Sequence, residues 1–94
     1  MLRAVCHGIV LAAAPRTVRL EGNHYFPAES LRREYFCDSA TKTPCPWKGI
    51  ARYYTLMVGG EVIVDGAWYY PHPSPLAWRI KDHVAFANGG ARRW

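Results

Sequence analysis

Ile50-Ala51-Arg52-Tyr53-Tyr54-Thr55-Leu56-Met57-Val58, Gly59-Gly60, Glu61-Val62-Ile63-Val64, Asp65-Gly66, Ala67-Trp68-Tyr69-Tyr70: three β-branched and aromatic runs are separated by two short glycine-bearing breaks. Gly-Gly and Asp-Gly are two-residue hairpin signals, because both tolerate the positive φ that such turns require. The pattern predicts a three-stranded antiparallel meander over residues 50–70.

Working outward, Pro71 and Pro73 end the sheet, and Ser74-Pro75 is a helix start in which Ser caps and Pro takes the first helical position. Leu76 and Ile80 have the spacing to bury one face of that short helix. Val84-Ala85-Phe86 reads as a closing strand, and Asn88-Gly89-Gly90 with Arg92-Arg93 as a flexible tail from about residue 88. Upstream, residues 37–49 hold Pro44, Pro46 and Gly49 and read as a shaped loop. Ala28 to Tyr35 reads as a short helix sharing Leu31 and Tyr35 on one face. His24-Tyr25-Phe26 runs into Pro27, which is expected to stop pairing. Glu21-Gly22-Asn23 is a turn. Val10 to Ala13 and Thr17 to Leu20 read as strands about a Pro15-Arg16 turn. The fold class is mainly β (α+β), one small domain over residues 1–94 with one or two short helices.

Composition sets the limits. Ninety-four residues suffice for one core, with half of the residues hydrophobic and four Trp, six Tyr and three Phe. The net charge of +5 comes from dispersed residues, mostly Arg, and a solvated surface explains it better than a nucleic-acid partner. Nucleic acid is the least favoured ligand. It would need the arginines on one face and salt-sensitive binding. Cys6, Cys37 and Cys45 are odd in number and irregular in spacing, which suits a reducing cytoplasmic setting better than a disulfide framework. The Ala-rich start faintly imitates a signal peptide, but His7 and Gly8 interrupt it and a strand is expected there. No apolar run approaches a membrane span. The aromatic load is compatible with a homodimer through an exposed patch.

The chemistry-bearing candidates cluster around Cys45-Pro46-Trp47-Lys48-Gly49. Cys45 beside Lys48 suggests an activated thiolate, against the plainer reading of a buried small hydrophobe. Lys48, fixed between Trp47 and Gly49, is placed to hold an anionic ligand group or to pair with Glu21; otherwise its stem lies on Trp47 at the surface. Trp47, Tyr53, Trp68 and Tyr70 are candidate walls of an aromatic pocket, with Lys48 as its polar group, or else simply core. Glu21 and His24, separated by Gly22-Asn23 in a turn, suit general acid–base work or a turn-stabilising hydrogen bond. No C-x-x-C or H-x-x-x-H spacing occurs, and only a distributed Cys6, Cys37 and Cys45 set is conceivable for a metal; no metal or cofactor is called for.

Leu20-Glu21-Gly22-Asn23-His24-Tyr25-Phe26-Pro27, Glu34-Tyr35-Phe36, Ser39 with Thr43, Cys45-Pro46-Trp47-Lys48-Gly49 with Ala51 and Tyr53-Tyr54, Ala67-Trp68-Tyr69-Tyr70-Pro71, and Ile80-Lys81-Asp82-His83-Val84-Ala85-Phe86 follow one another along the chain. Together these segments resemble the bacterial domain of unknown function 427 family, also catalogued under a nucleotidyltransferase-type label. The resemblance implies a β-tent-like or barrel-like sheet. The chain departs from the pattern after Phe86, where it reads Ala87-Asn88-Gly89-Gly90-Ala91. Its seven acids include no Asp-x-Asp pair, and no Gly-rich phosphate loop is present, the parts that metal-assisted nucleotidyl transfer uses. The reading is a small-ligand-binding domain with an aromatic pocket beside the 45–49 loop. The alternative is a small enzyme acting on a nucleotide-like or carbonyl substrate through Glu21, His24, Lys48 or Cys45.

Overall fold

A computed structural model describes residues 1–87. The chain forms eight strands: β1 (Leu2–Cys6), β2 (Ile9–Ala14), β3 (Val18–Leu20), β4 (Asn23–Pro27), β5 (Phe36–Cys45), β6 (Gly49–Val58), β7 (Glu61–Tyr69) and β8 (His83–Phe86). β1 and β2 make a two-stranded sheet; the other six make an antiparallel sheet in the order β3-β4-β8-β7-β6-β5. The mainly β reading holds. The larger sheet is open, with β3 and β5 at its two ends.

The meander exists but is divided differently. Gly59-Gly60 is the β6–β7 turn, as expected, and Asp65-Gly66 is not a turn: it is a bulge inside one long β7. Three residues, 64–66, face the single Thr55 between the pairs Leu56↔Ile63 and Tyr54↔Ala67. Asp65 takes φ 54°, which a short polar side chain tolerates. A side chain at Gly66 would come within 2.8 Å of the Leu56 side chain, so the glycine serves packing.

Residues 37–49, expected to be a loop, are mostly β5. Its own bulge, residues 39–41, lies opposite Tyr53. Pro44 is tolerated because β5 is an edge strand, where a missing N–H breaks no ladder. Asp65 ties the two bulges together across β6: its carboxylate accepts hydrogen bonds from the hydroxyls of Ser39 (2.5 Å) and Thr41 (2.8 Å).

The helices are also corrected. Residues 28–35 form two single 3-10 turns, Ala28–Ser30 and Arg33–Tyr35, broken at Leu31, which bridges Ala12. Leu31 is buried nonetheless, and Tyr35 packs on the same cluster. Pro75–Ile80 is 3-10 with Pro in its first turn, but the Ser74 hydroxyl does not cap it. Three residues per turn bring Ala77 and Ile80 inward and leave Leu76 79% exposed, which overturns the expected Leu76–Ile80 face. Pairing does not stop at Pro27, which lies opposite His83. Thr17 to Leu20 does not form a hairpin with β2: β2 pairs with β1, which the sequence reading did not separate as a strand. The tail from residue 88 lies outside the described residues.

Each face of the large sheet has its own core. One, under the β1–β2 hairpin, contains Leu11, Phe26, Leu56, Val58, Val84 and Phe86; the other, under Pro75–Ile80, contains Tyr25, Ala51, Tyr70, Ala77, Ile80 and Ala85. Neighbours such as Tyr25 and Phe26, or Ala85 and Phe86, face opposite cores, because successive strand side chains alternate. The stretches of β4 and β8 that pair at the centre of the sheet therefore bury side chains on both faces.

Candidate functional site

The 45–49 block is the tight connection between β5 and β6, with Cys45 opposite Gly49. Gly49 has φ 120°, outside the range of other L-residues, and an added Cβ would lie 3.0 Å from the carbonyl oxygen of His72. The turn is clamped to residues 71–74 by two hydrogen bonds: the Ser74 amide donates to the Lys48 carbonyl (2.9 Å), and the Ser74 hydroxyl donates to the Trp47 carbonyl.

This turn aims Lys48 inward. It is the only buried charged residue among the described residues, at 8% exposure. Its ammonium donates to the Glu21 carboxylate and lies 5.5 Å from the Trp47 ring centroid and 5.4 Å from that of Tyr70. Burial works against the Lys48 charge, but Glu21, Tyr25 and Tyr70 outweigh it and hold its pKa above the usual value. Hydrogen bonding from Lys48, helped by a side-chain hydrogen bond from Trp47, holds the Glu21 carboxyl below its usual value. Glu21 reaches Lys48 from the β3–β4 turn, where it takes φ 53°. The ion pair joins two distant connections of the sheet.

The expected aromatic set converges here. Trp47, Tyr53, Trp68 and Cys45 pack against the core containing Tyr25 and Tyr70. The Trp68 indole N–H donates to the Tyr25 hydroxyl at 3.1 Å, and Tyr53 hydrogen-bonds Thr43 at 2.9 Å. Burial pushes the Tyr25 and Tyr70 hydroxyls up. The catalytic candidates separate: Glu21 and Lys48 meet, whereas the His24 ring engages the Thr17 hydroxyl at 2.7 Å and is held below its usual pKa by burial and Arg19. Among the described residues no hydrogen bond joins Cys45 to Lys48, whose ammonium is engaged by Glu21.

Beside the turn lies a cleft of about 530 Å³ lined by Lys42, Gly49, Ile50, Arg52, Tyr69, Pro71 and His72. Three of these form one row across neighbouring strands: Lys42 opposite Arg52, and Arg52 opposite Tyr69. Arg52 Nε is buried with no hydrogen-bond partner among the described residues. Tyr69 stacks on Tyr54 with centroids 4.8 Å apart, and burial beside Tyr54 raises its hydroxyl pKa against the opposing pull of Arg52. A smaller hollow of about 220 Å³ adjoins it across Tyr69 and Pro71 and includes Arg33, Tyr54, Asp82 and His83. The Arg33 guanidinium donates to the Tyr54 hydroxyl at 3.3 Å.

None of Glu21, His24, Cys45, Trp47, Lys48, Tyr53 or Trp68 lines the cleft, and Tyr70 borders the smaller hollow. Sequence reasoning missed Lys42, Arg52, Tyr69 and His72. One signal was present: Arg52 is the sole charged residue in the apolar run from Ile50 to Val58. Among the described residues no group of three His, Cys, Asp or Glu side chains is placed to hold a metal ion, and no helix is long and apolar enough to cross a membrane.

A search of curated proteins gave no match to the chain. The family model described as Domain of unknown function (DUF427), labelled NTP_transf_9, matches residues 1–94, and the chain belongs to that family.

Proposed function

We propose that this domain binds a small molecule in the cleft beside the 45–49 turn. The observation that carries the reading is a recess of about 530 Å³, within the usual range of small-ligand sites, whose walls come from fixed parts of the fold. One wall is the β5–β6–β7 sheet. The other is Pro71 and His72, clamped to the turn through Ser74. In this reading Lys48, Trp47 and Tyr70 act from behind: their cluster with Glu21, Tyr53 and Trp68 holds the turn, and the turn holds the wall. A binding site benefits from such support because a preformed recess loses less free energy to ordering when it is filled.

The test is NMR chemical-shift mapping with a fragment collection on the ¹⁵N-labelled protein. Binders are expected to move the amides of Gly49, Ile50, Arg52, Tyr69 and His72 as one group. Saturable binders that move none of these, or the absence of any binder, would refute the reading. Native mass spectrometry of the protein from its own host then gives the mass of any retained occupant.

A further inference from the structure

We infer that the occupant of this cleft is a small organic anion, a phosphate- or carboxylate-bearing molecule with an apolar body, whose charged group sits between Lys42 and Arg52. The inference rests on the cleft being a ligand site and goes further by naming the ligand class.

Three observations support it. First, the lining includes Lys42, Arg52 and His72, and no Asp or Glu. Second, Lys42 and Arg52 are directly opposite each other on neighbouring strands. Like charges so placed repel, and neither residue has an ion-pair partner among the described residues; Asp38, opposite Tyr54 on the same face, is close enough to act on Tyr69 but forms no ion pair with either. Third, Arg52 Nε is buried and unpartnered. A buried N–H left unmade costs free energy comparable to a lost hydrogen bond, and a guanidinium edge is a planar fork suited to two oxygens of one anion. An anion would relieve the repulsion, and a small rotation of the Arg52 guanidinium would bring to it the orphaned donor that is covered in the unliganded protein. Ile50, Tyr69 and Pro71 form the apolar remainder of the lining and would receive the body of the molecule. The recess is bounded by the clamped segment 71–74, which favours a small molecule over the continuous backbone of a nucleic acid.

Four aromatic probes of similar shape, with inorganic phosphate, provide the test, read by calorimetry and by the same amide shifts. Phenyl phosphate and benzoate are expected to bind the cleft, and their relative affinities separate phosphate from carboxylate preference. Benzyl alcohol and benzylamine are expected to bind at least tenfold more weakly, and inorganic phosphate more weakly than phenyl phosphate. Lys42→Gln alters an exposed side chain and should fold normally, with phenyl phosphate affinity reduced about tenfold, the scale of one lost charged contact. Arg52→Lys keeps the charge but not the fork and should weaken binding more than its unchanged charge implies. Affinity should fall as salt rises. Equal binding of benzyl alcohol and phenyl phosphate at the cleft would overturn the anion inference and leave the ligand site standing. No shift at the cleft with any probe would remove both. An oligonucleotide that moves the cleft amides while phenyl phosphate does not would overturn the small-molecule assignment.

Discussion

Gly49→Ala tests whether the 45–49 turn and the cleft wall are one mechanical unit. Two costs add. Ala at φ 120° occupies a conformation that L-residues rarely adopt, at about 1–3 kcal/mol. Its Cβ would also lie 3.0 Å from the His72 carbonyl oxygen, and that oxygen is backbone. Retreat is opposed by the two Ser74 hydrogen bonds, so the contact is relieved only by loosening the clamp, at about 1 kcal/mol per weakened bond. The lower entropy of an unfolded Ala returns about 0.4–1 kcal/mol. The net is about 2–3 kcal/mol, or a Tm fall of roughly 10–20 °C in a domain of this size. Gly60→Ala is the comparison. It has φ 81° with nothing within 4 Å of the added Cβ, so it carries the conformational cost alone. Thermal and urea unfolding followed by circular dichroism measure both variants. If Gly49→Ala costs no more than Gly60→Ala, the turn does not bear on segment 71–74 and the account of the cleft wall fails.

Other outcomes follow from the same contacts. Tyr25→Phe removes the partner of the Trp68 indole N–H in a partly buried setting and should cost about 1 kcal/mol in urea unfolding; an unchanged midpoint would mean that the 3.1 Å hydrogen bond contributes nothing. Asp65→Ala loses two hydroxyl partners and places Ala at φ 54°, for roughly 2 kcal/mol, whereas Asp65→Asn keeps an acceptor and tolerates that backbone and should lose less than half as much. The Glu21–Lys48 pair gives a pH signature. Glu21 is held below its ordinary 4.5, so its share of stability is present above that pH and is lost as pH falls through the folded value. Lys48 is held above its ordinary 10.5, so its share is present below that pH and is lost as pH rises through the folded value. Stability against pH should show both limbs in the wild type, and Lys48→Met should flatten both.

Much of the sheet was legible because hydrophobic runs and Gly-Gly turns act locally. Gly59-Gly60 turned as expected. Asp65-Gly66 carries an equally strong turn signal, yet Leu56 and Tyr54 keep pairing on both sides of it, and the chain absorbs the extra residues as a bulge. Whether Asp-Gly turns or bulges is settled by the partner strand, which local sequence does not contain. Pro44 and Pro46 suggested a loop for a related reason: an edge strand tolerates proline, and edge position is a property of the whole sheet. The aromatic cluster and the Glu21–Lys48 contact were legible only as complementary residue types, because their members come from separate connections and strands, with Glu21 and Lys48 27 positions apart. The cleft was not, because its row of Lys42, Arg52 and Tyr69 comes from three strands and exists only through their register. The bulges in β5 and β7 set that register, so no reading of one segment alone would have aligned them.

The place of β8 bears on how the protein is made. It is the last strand of the described chain, yet it lies between β4 and β7 and holds the two halves of the large sheet together. During synthesis β3 and β4 leave the ribosome early, and β5 to β7 can form a meander, but neither half can join the other until residues 83–86 emerge. Until then Tyr25 and Phe26, both almost fully buried in the finished fold, have no β8 beside them. Ribosome-bound chains halted with residues 83–86 still in the exit tunnel should therefore be cut readily by added protease, and chains halted some tens of residues further along, in an extended reading frame, should resist it.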